Sequence, residues 1–295
     1  MDFLASLPHY RDHLEPIAAR MDATSWVSSI QASYGEGTIV VASARDLRRA
    51  RRPAVFVEHG AGQTYRGVRL AAYPGGDHRE RVRLFICPNK RVADANRARY
   101  PDARAAVVGC PKLDRWAGVV PQGQEVAIGF HWPCKVVSET YSAYSHYAAA
   151  LRDLSDWYGS VVGTWHPRWG DGLREPYKTS GIEPVTSFEE VMQRARVFIT
   201  DNSSAGWEAM AIGIPVVWLN APWYRRNVEH GLRFWEFANA GVQVDDPSEL
   251  VQGVERALAD PPQIRERRRE AVASIYGEMD GKAAQRAARA IEEME

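Results

Sequence analysis

The stretch from Val197 to Leu219 limits what this chain can fold into more than any other. Its opening run, Val197-Phe198-Ile199, has the length of a buried strand, and Thr200-Asp201-Asn202-Ser203-Ser204 is a polar turn carrying two good helix caps. A helical pattern continues to Ile212, where Gly213 and Pro215 stop it before a second apolar run, Val216 to Leu219. Strand, turn, helix and strand in this order put a helix N-terminus at the carboxyl end of a parallel strand. Free backbone N–H groups, two hydroxyls and the positive end of the helix dipole converge there, as a phosphate requires. Two readings of the motif stand side by side: a nucleotide-diphosphate site, or a well-capped helix of an ordinary α/β protein.

The same alternation runs through the whole chain. Thr38 to Ala42, Ala54 to Val57, Arg83 to Cys87 and Ala105 to Val108 read as strands of a first sheet. Gly118-Val119-Val120-Pro121-Gln122-Gly123-Gln124 has the turn residues of a linker. Beyond it, Val126 to Phe130, Val161 to Trp165, Val197 to Thr200, Val216 to Leu219 and Val242 to Val244 read as a second set of strands. Helices are expected near Leu14 to Met21, Tyr141 to Trp157, Ser187 to Arg194, Ser204 to Ile212, Val228 to Ala240 and Ser248 to Ala259. The pattern predicts an α/β protein of two Rossmann-like domains facing one another across a cleft, residues 1–120 and 121–280. A charged helix over residues 281–295 is expected to pack back on the first domain.

Composition narrows the partners. Thirty-seven Lys and Arg balance 37 Asp and Glu over 295 residues, so no global field points to nucleic acid or an anionic membrane. The runs Arg48-Arg49-Ala50-Arg51-Arg52 and Arg265-Glu266-Arg267-Arg268-Arg269 read as phosphate-binding patches or as solvated faces. Cys87, Cys110 and Cys134 are odd in number and lack a C-x-x-C spacing, which fits a reduced, cytoplasmic setting. The N-terminal residues have no apolar stretch of a signal peptide, and no segment approaches the roughly 18 apolar residues of a membrane span.

Three further segments fall at predicted strand carboxyl ends, where loops meet substrates. Glu58-His59-Gly60-Ala61-Gly62-Gln63 gives His59 open surroundings, because glycines let backbone and ligand approach closely. An imidazole titrating near neutrality can take a proton from an attacking hydroxyl, so His59 is a candidate general base, the alternative being a loop histidine bonded to backbone. Gly60 and Gln63 belong to the same acceptor side. Thr164-Trp165-His166-Pro167-Arg168 ends a strand with an imidazole and a guanidinium, which together can neutralise a departing diphosphate. Lys112, in Gly109-Cys110-Pro111-Lys112-Leu113-Asp114, is a phosphate contact or a solvated turn residue. No Gly-x-Ser-x-Gly, Walker A, His-Glu-x-x-His or Asp-x-Asp motif occurs, so neither a metal site nor a cofactor is expected. Trp207, Trp218, Trp223, Tyr224 and Trp235 read either as a stacking surface or as core.

The order His59-Gly60, then Gly109-x-Pro111-Lys112-x-Asp114, then His166-Pro167, then Asp201-x-Ser203-Ser204 with Glu208 and Pro215, resembles the CDP-glycerol glycerophosphotransferase family. These are enzymes of the glycosyltransferase-B fold that build teichoic acid and related polymers. The likeness covers roughly residues 54–260 and extends more loosely to UDP-sugar epimerases. It implies that His59 is the active-site histidine, that His166 and Arg168 lie near the donor phosphates, and that Asp201, Ser203, Ser204, Ala205 and Glu208 hold the donor. Three departures leave the donor open between a sugar nucleotide and CDP-glycerol. Gln63-Thr64-Tyr65 stands where the family has a lysine, Phe130-His131-Trp132-Pro133 replaces its Pro-Thr-Trp-Arg, and Glu208 stands where aspartate is commoner.

The expectation is therefore a metal-independent transferase that moves a glycosyl or polyol-phosphate group from a UDP- or CDP-linked donor to a hydroxyl acceptor. The acceptor is a polymer, a small molecule or a modified nucleic-acid base, as for a glycosyltransferase acting on hydroxylated DNA bases. The rivals are a nonhydrolysing UDP-sugar epimerase and a non-catalytic nucleotide-sugar binding protein. An epimerase would need acidic groups near the sugar, and Glu58, Asp201 and Glu208 are the candidates.

Overall fold

The computed structural model describes residues 1–59, 79–135, 138–226 and 233–294. The chain divides into two compact units, one of residues 1–118 with 273–295 and one of residues 119–272. Each is built on a six-stranded parallel sheet. The first holds β1 (Asp2–Leu4), β2 (Ser25–Trp26), β3 (Ile39–Val41), β4 (Ala54–Val57), β5 (Val82–Cys87) and β6 (Arg104–Val107), in the order β2-β1-β3-β4-β5-β6. The second holds β7 (Glu125–Phe130), β8 (Val161–Trp165), β9 (Glu183–Pro184), β10 (Ala195–Thr200), β11 (Val216–Leu219) and β12 (Val242–Val244), in the order β12-β11-β10-β7-β8-β9.

The central strands are continuous apolar runs because both faces of a parallel sheet are covered. In the first unit Val40, Val55, Val57, Leu84 and Ile86 pack on Leu14 and Ile17 of the helix Pro8–Ala18 and on Ala287, Ala288 and Ile291 of the C-terminal helix Ala283–Glu292. That C-terminal helix is capped from within the unit, for the Asp114 carboxylate accepts the N–H groups of Ala283 (3.0 Å) and Ala284 (2.7 Å). Gly109 lies just before this contact at φ +93°, a left-handed conformation in which a side chain would crowd Ala283 and the Tyr276 carbonyl. Part of the Gly109-x-Pro111-Lys112-x-Asp114 motif is thus structural. The helix Pro262–Tyr276 carries the chain from the second unit into the first.

In the second sheet the chain lays down β7, β8 and β9 in one direction, then restarts beside β7 with β10 and continues outward on the other side. β7 and β10 therefore flank the topological switch point, and their carboxyl ends frame the crevice in which open α/β sheets bind ligands. The register pairs Ile199 with Ile128 and Thr200 with Gly129. The helix Ser204–Ile212 starts from the β10 side and lies very close to the sheet. Its Gly206 backs onto the buried Trp218 ring and the Thr200 methyl, which a Cβ there would overlap. Trp207 and Trp218 are core, fully buried with ring centroids 5.0 Å apart. Trp223 is half-buried and Tyr224 buried, while the side chain of Trp235 lies outside the described residues.

Gly206→Ala should lower stability by about 1–3 kcal/mol, the usual cost of overpacking a filled core, because the buried indole of Trp218 and the Thr200 methyl leave the added methyl nowhere to go. Chemical denaturation of the two proteins checks this; an unchanged midpoint would mean that the helix is not seated so closely.

Candidate functional site

Three adjacent strands of the second unit end in polar side chains: β10 in Asp201 and the Ser203 turn, β7 in His131, and β8 in His166 and Arg168. The Ser203 turn folds as the sequence predicts. Ser203 is extended (φ −112°, ψ 142°) and its Oγ accepts the Ala205 N–H at 3.3 Å, capping the nine-residue helix Ser204–Ile212. The N–H of Ser204, at the first helical position, has no acceptor within the helix by geometry. Ser204 and Ala205 are half-buried, whereas Ser203 and Glu208 are buried.

His131 and His166 stand with ring centroids 5.2 Å apart, edge to face. Their hydrogen bonds assign them opposite tautomers. The Nδ1 of His131 faces two carbonyl oxygens, Trp132 at 3.0 Å and Thr140 at 2.9 Å, so it carries the proton and leaves a lone pair on Nε2. The Nδ1 of His166 instead accepts the Arg168 N–H at 3.1 Å, so its proton sits on Nε2. Burial holds His131 below the usual histidine range, against the pull of the Asp201 carboxylate. One imidazole can therefore accept a proton and its neighbour can donate one. The Arg168 guanidinium, on an exposed residue, lies 4.5 Å over the ring of half-buried Trp132, and the Trp169 indole N–H donates to the His131 carbonyl at 2.9 Å.

Asp201 has a different part from the one expected of a donor contact. It is 1 % exposed, and both its oxygens are engaged within the protein, with the N–H of His131 (2.8 Å), the hydroxyl of Ser142 (3.1 Å) and the N–H of Ala143 (2.9 Å). Burial pushes its carboxyl up from the ordinary aspartate range, and those donors, with His131, oppose the push.

In the first unit, His59 follows β4 and meets Tyr10 (ring centroids 5.2 Å apart) and His13 (6.0 Å), both on the helix Pro8–Ala18. The His9 and Tyr10 rings are tilted against each other with centroids 3.9 Å apart, and the Cys110 Sγ is 4.0 Å from the His13 Nδ1. Lys112 is half-buried on the same side of the unit, close enough to act electrostatically on His13. Glu58 is buried: Arg79 (2.8 Å) and Asn96 (3.0 Å) both donate to its Oε1, and Arg79 in turn sits 4.3 Å over Phe56. Gly60 and Gln63 lie outside the described residues.

Of the residues singled out from sequence, the second unit carries His166 and Arg168 after β8 and Asp201, Ser203, Ser204, Ala205 and Glu208 after β10, with His131 touching both groups through His166 and Asp201, and the first carries His59 and Lys112. Sequence reasoning underrated His131 and missed Trp132 as the platform of Arg168. The signal for His131 was its position, directly after an apolar run that becomes a central strand.

No protein-family model matches the chain, and no curated protein matches it in sequence. Solved structures do match it. The S. aureus MnaA–UDP co-structure superposes with a TM-score of 0.63 at 14 % identity, over 99 % of this chain and 95 % of that one. UDP-GlcNAc 2-epimerase from Neisseria meningitidis bound to UDP-GlcNAc gives 0.62 at 12 % identity, over 99 % of each. The wall teichoic acid polymerase TagF gives 0.60 at 15 % identity, over 92 % of this chain and 77 % of that one. At such identities the likeness establishes the fold, the two-unit α/β architecture of glycosyltransferase-B type expected from the sequence. Among the described residues no helix is long and apolar enough to cross a membrane.

The buried His13 of the first unit should make stability depend on pH. Burial, with Lys112, His59 and His9 nearby, holds His13 well below its ordinary 6.5. A base whose folded pKa is depressed binds fewer protons folded than unfolded, so its stabilising effect is complete above about pH 6.5 and is lost as pH falls below it. Urea midpoints of the wild type should fall between pH 7 and 5 more steeply than those of His13→Gln. Parallel curves would show that His13 is not held neutral.

Proposed function

We propose that this chain is an enzyme acting on a sugar or polyol activated by UDP or CDP, with the diphosphate bound at the switch-point crevice of the second unit and no metal ion required. The observation that carries this reading is the pair of imidazoles of opposite tautomer beside a serine-capped helix start. In the proposal, the Ser204 N–H and the hydroxyls of Ser203 and Ser204 receive phosphate oxygens at the positive end of the helix, and Arg168 adds charge-assisted hydrogen bonds. The Nε2–H of His166 donates to the leaving phosphate, and Glu208 accepts from the ribose. The likeness in fold to a UDP co-structure and a UDP-GlcNAc complex supports a nucleotide-linked substrate.

Two reactions suit such a site. In a transferase resembling the CDP-glycerol glycerophosphotransferases, an acceptor hydroxyl attacks the anomeric carbon or the β-phosphorus, a base takes its proton, and the nucleotide leaves. His59 is the proposed base. In an epimerase no acceptor is needed, and His131 is the proposed group that takes up the proton of the stereocentre. The likeness in fold to the epimerase structures supports this second reading as the likeness to TagF supports the first. Incubation of UDP-GlcNAc in deuterated water without acceptor separates them: deuterium entering the sugar means epimerisation, and nucleotide release that needs an added acceptor means transfer.

Calorimetry should detect UDP or CDP binding that persists in EDTA; binding abolished by chelation would contradict the metal-free site. Arg168→Ala should weaken that binding by about 1.5–3 kcal/mol, the worth of a charged hydrogen bond, with folding intact. An unchanged affinity would make Arg168 a surface residue. In the transferase reading, His59→Ala should leave nucleotide affinity nearly intact while cutting turnover by a factor of about 100 to 10,000. Near-normal turnover would remove His59 as the base.

A further inference from the structure

We propose that Asp201 is the positioning residue of this site: its carboxylate draws together the two ends of the stretch that follows β7 and so fixes His131 and Trp132 against His166 and Arg168. The inference rests on reading the crevice as the donor site.

The geometry of the carboxylate carries it. Oδ1 accepts the N–H of His131 at the start of the stretch, while Oδ2 accepts the Ser142 hydroxyl and the Ala143 N–H at its end. All three donors come from that stretch. Closing the stretch has a chemical consequence. The two carbonyls that converge on the His131 Nδ1 come from its opposite ends, Trp132 and Thr140, and they define the tautomer only while those ends stay together. Trp132, carried on the same backbone, is the surface on which Arg168 lies. One buried group thereby governs both the proton acceptor and the cation of the crevice. It also acts through charge: Asp201 is the carboxylate facing His131, Arg168 the cation, and His166 the neighbouring imidazole. Loss of a hydrogen-bonded charge at such a place costs far more than its exposed counterpart would, since the partner N–H groups remain buried.

The test is an NMR titration of the histidine ring signals in the nucleotide-free full chain, for the wild type, Ser142→Ala and Asp201→Asn, with UDP and CDP calorimetry alongside. In the wild type the His131 signal should titrate in two steps, which belong to the His131–Asp201 pair. Ser142→Ala should move the lower step to higher pH, because the carboxylate loses a donor that favours its charged form. Asp201→Asn should leave a single His131 step, lowered for want of the opposite charge, and weaken nucleotide binding roughly tenfold through Arg168. Should Asp201→Asn fail to fold, Ser142→Ala decides alone. A His131 that titrates in one step, unmoved by either variant, in a protein that does bind nucleotide overturns the role of Asp201 and leaves the donor site standing. Wild-type protein that binds neither UDP nor CDP overturns the donor site and this role with it.

Discussion

The reversal of strand order at the centre of the second sheet is the constraint on which the rest of the candidate site depends. Once β10 is laid against β7, every connection leaving β8, β7 and β10 at their carboxyl ends emerges at one edge. An imidazole from β7, an imidazole and a guanidinium from β8, and a helix start from β10 are then neighbours, although they come from residues 131, 166–168 and 203–205. The sheet is a rigid base for them, since Ile128, Val162, Phe198, Ile199 and Val217 are completely buried. Side chains set on strand ends of such a core need little further ordering when a ligand arrives.

Polar groups divide into those that hold this arrangement and those that belong to the candidate site. Asp201 and Asp114 are acidic residues in motifs that invite a catalytic reading, yet each spends both carboxylate oxygens on the protein's own donors, and Glu58 spends one. His131 and His166 instead meet edge to face, and the Arg168 guanidinium lies over the Trp132 ring. The distinction follows from desolvation: a buried carboxylate persists only when donors surround it, and donors so used are not available to a substrate. The first unit has another character, with His9 and His59 against Tyr10, His13 against His59, and Lys112 as the cation acting on His13.

Much of this architecture was legible in the sequence because buried parallel strands announce themselves as short apolar runs. Ala54–Val57, Val161–Trp165, Val216–Leu219 and Val242–Val244 have the expected bounds, and Ser204–Ile212 starts and stops at its cap and glycine. What escaped was too short to show a period: β1, β2 and β9 have only two or three residues and take their shape from their neighbours. The first helix begins at Pro8, a residue suited to the first turn, and runs through Pro16, so a reading that started it at Leu14 missed half of it. At the site, Ser203 was legible because capping is local. The roles of Asp201, His131 and Trp132 were not, because they arise from hydrogen bonds and stacking between separate strand ends that no linear spacing encodes.

The central claim is that the crevice at the ends of β7, β8 and β10 holds a nucleotide diphosphate, and a crystal structure of the chain soaked with UDP tests it most directly. The account predicts diphosphate density with an oxygen about 2.7–3.2 Å from the Ser204 N–H and within hydrogen-bond reach of the His166 Nε2 and the Arg168 guanidinium. Density for the diphosphate elsewhere on the protein, with this crevice filled only by solvent, would contradict it.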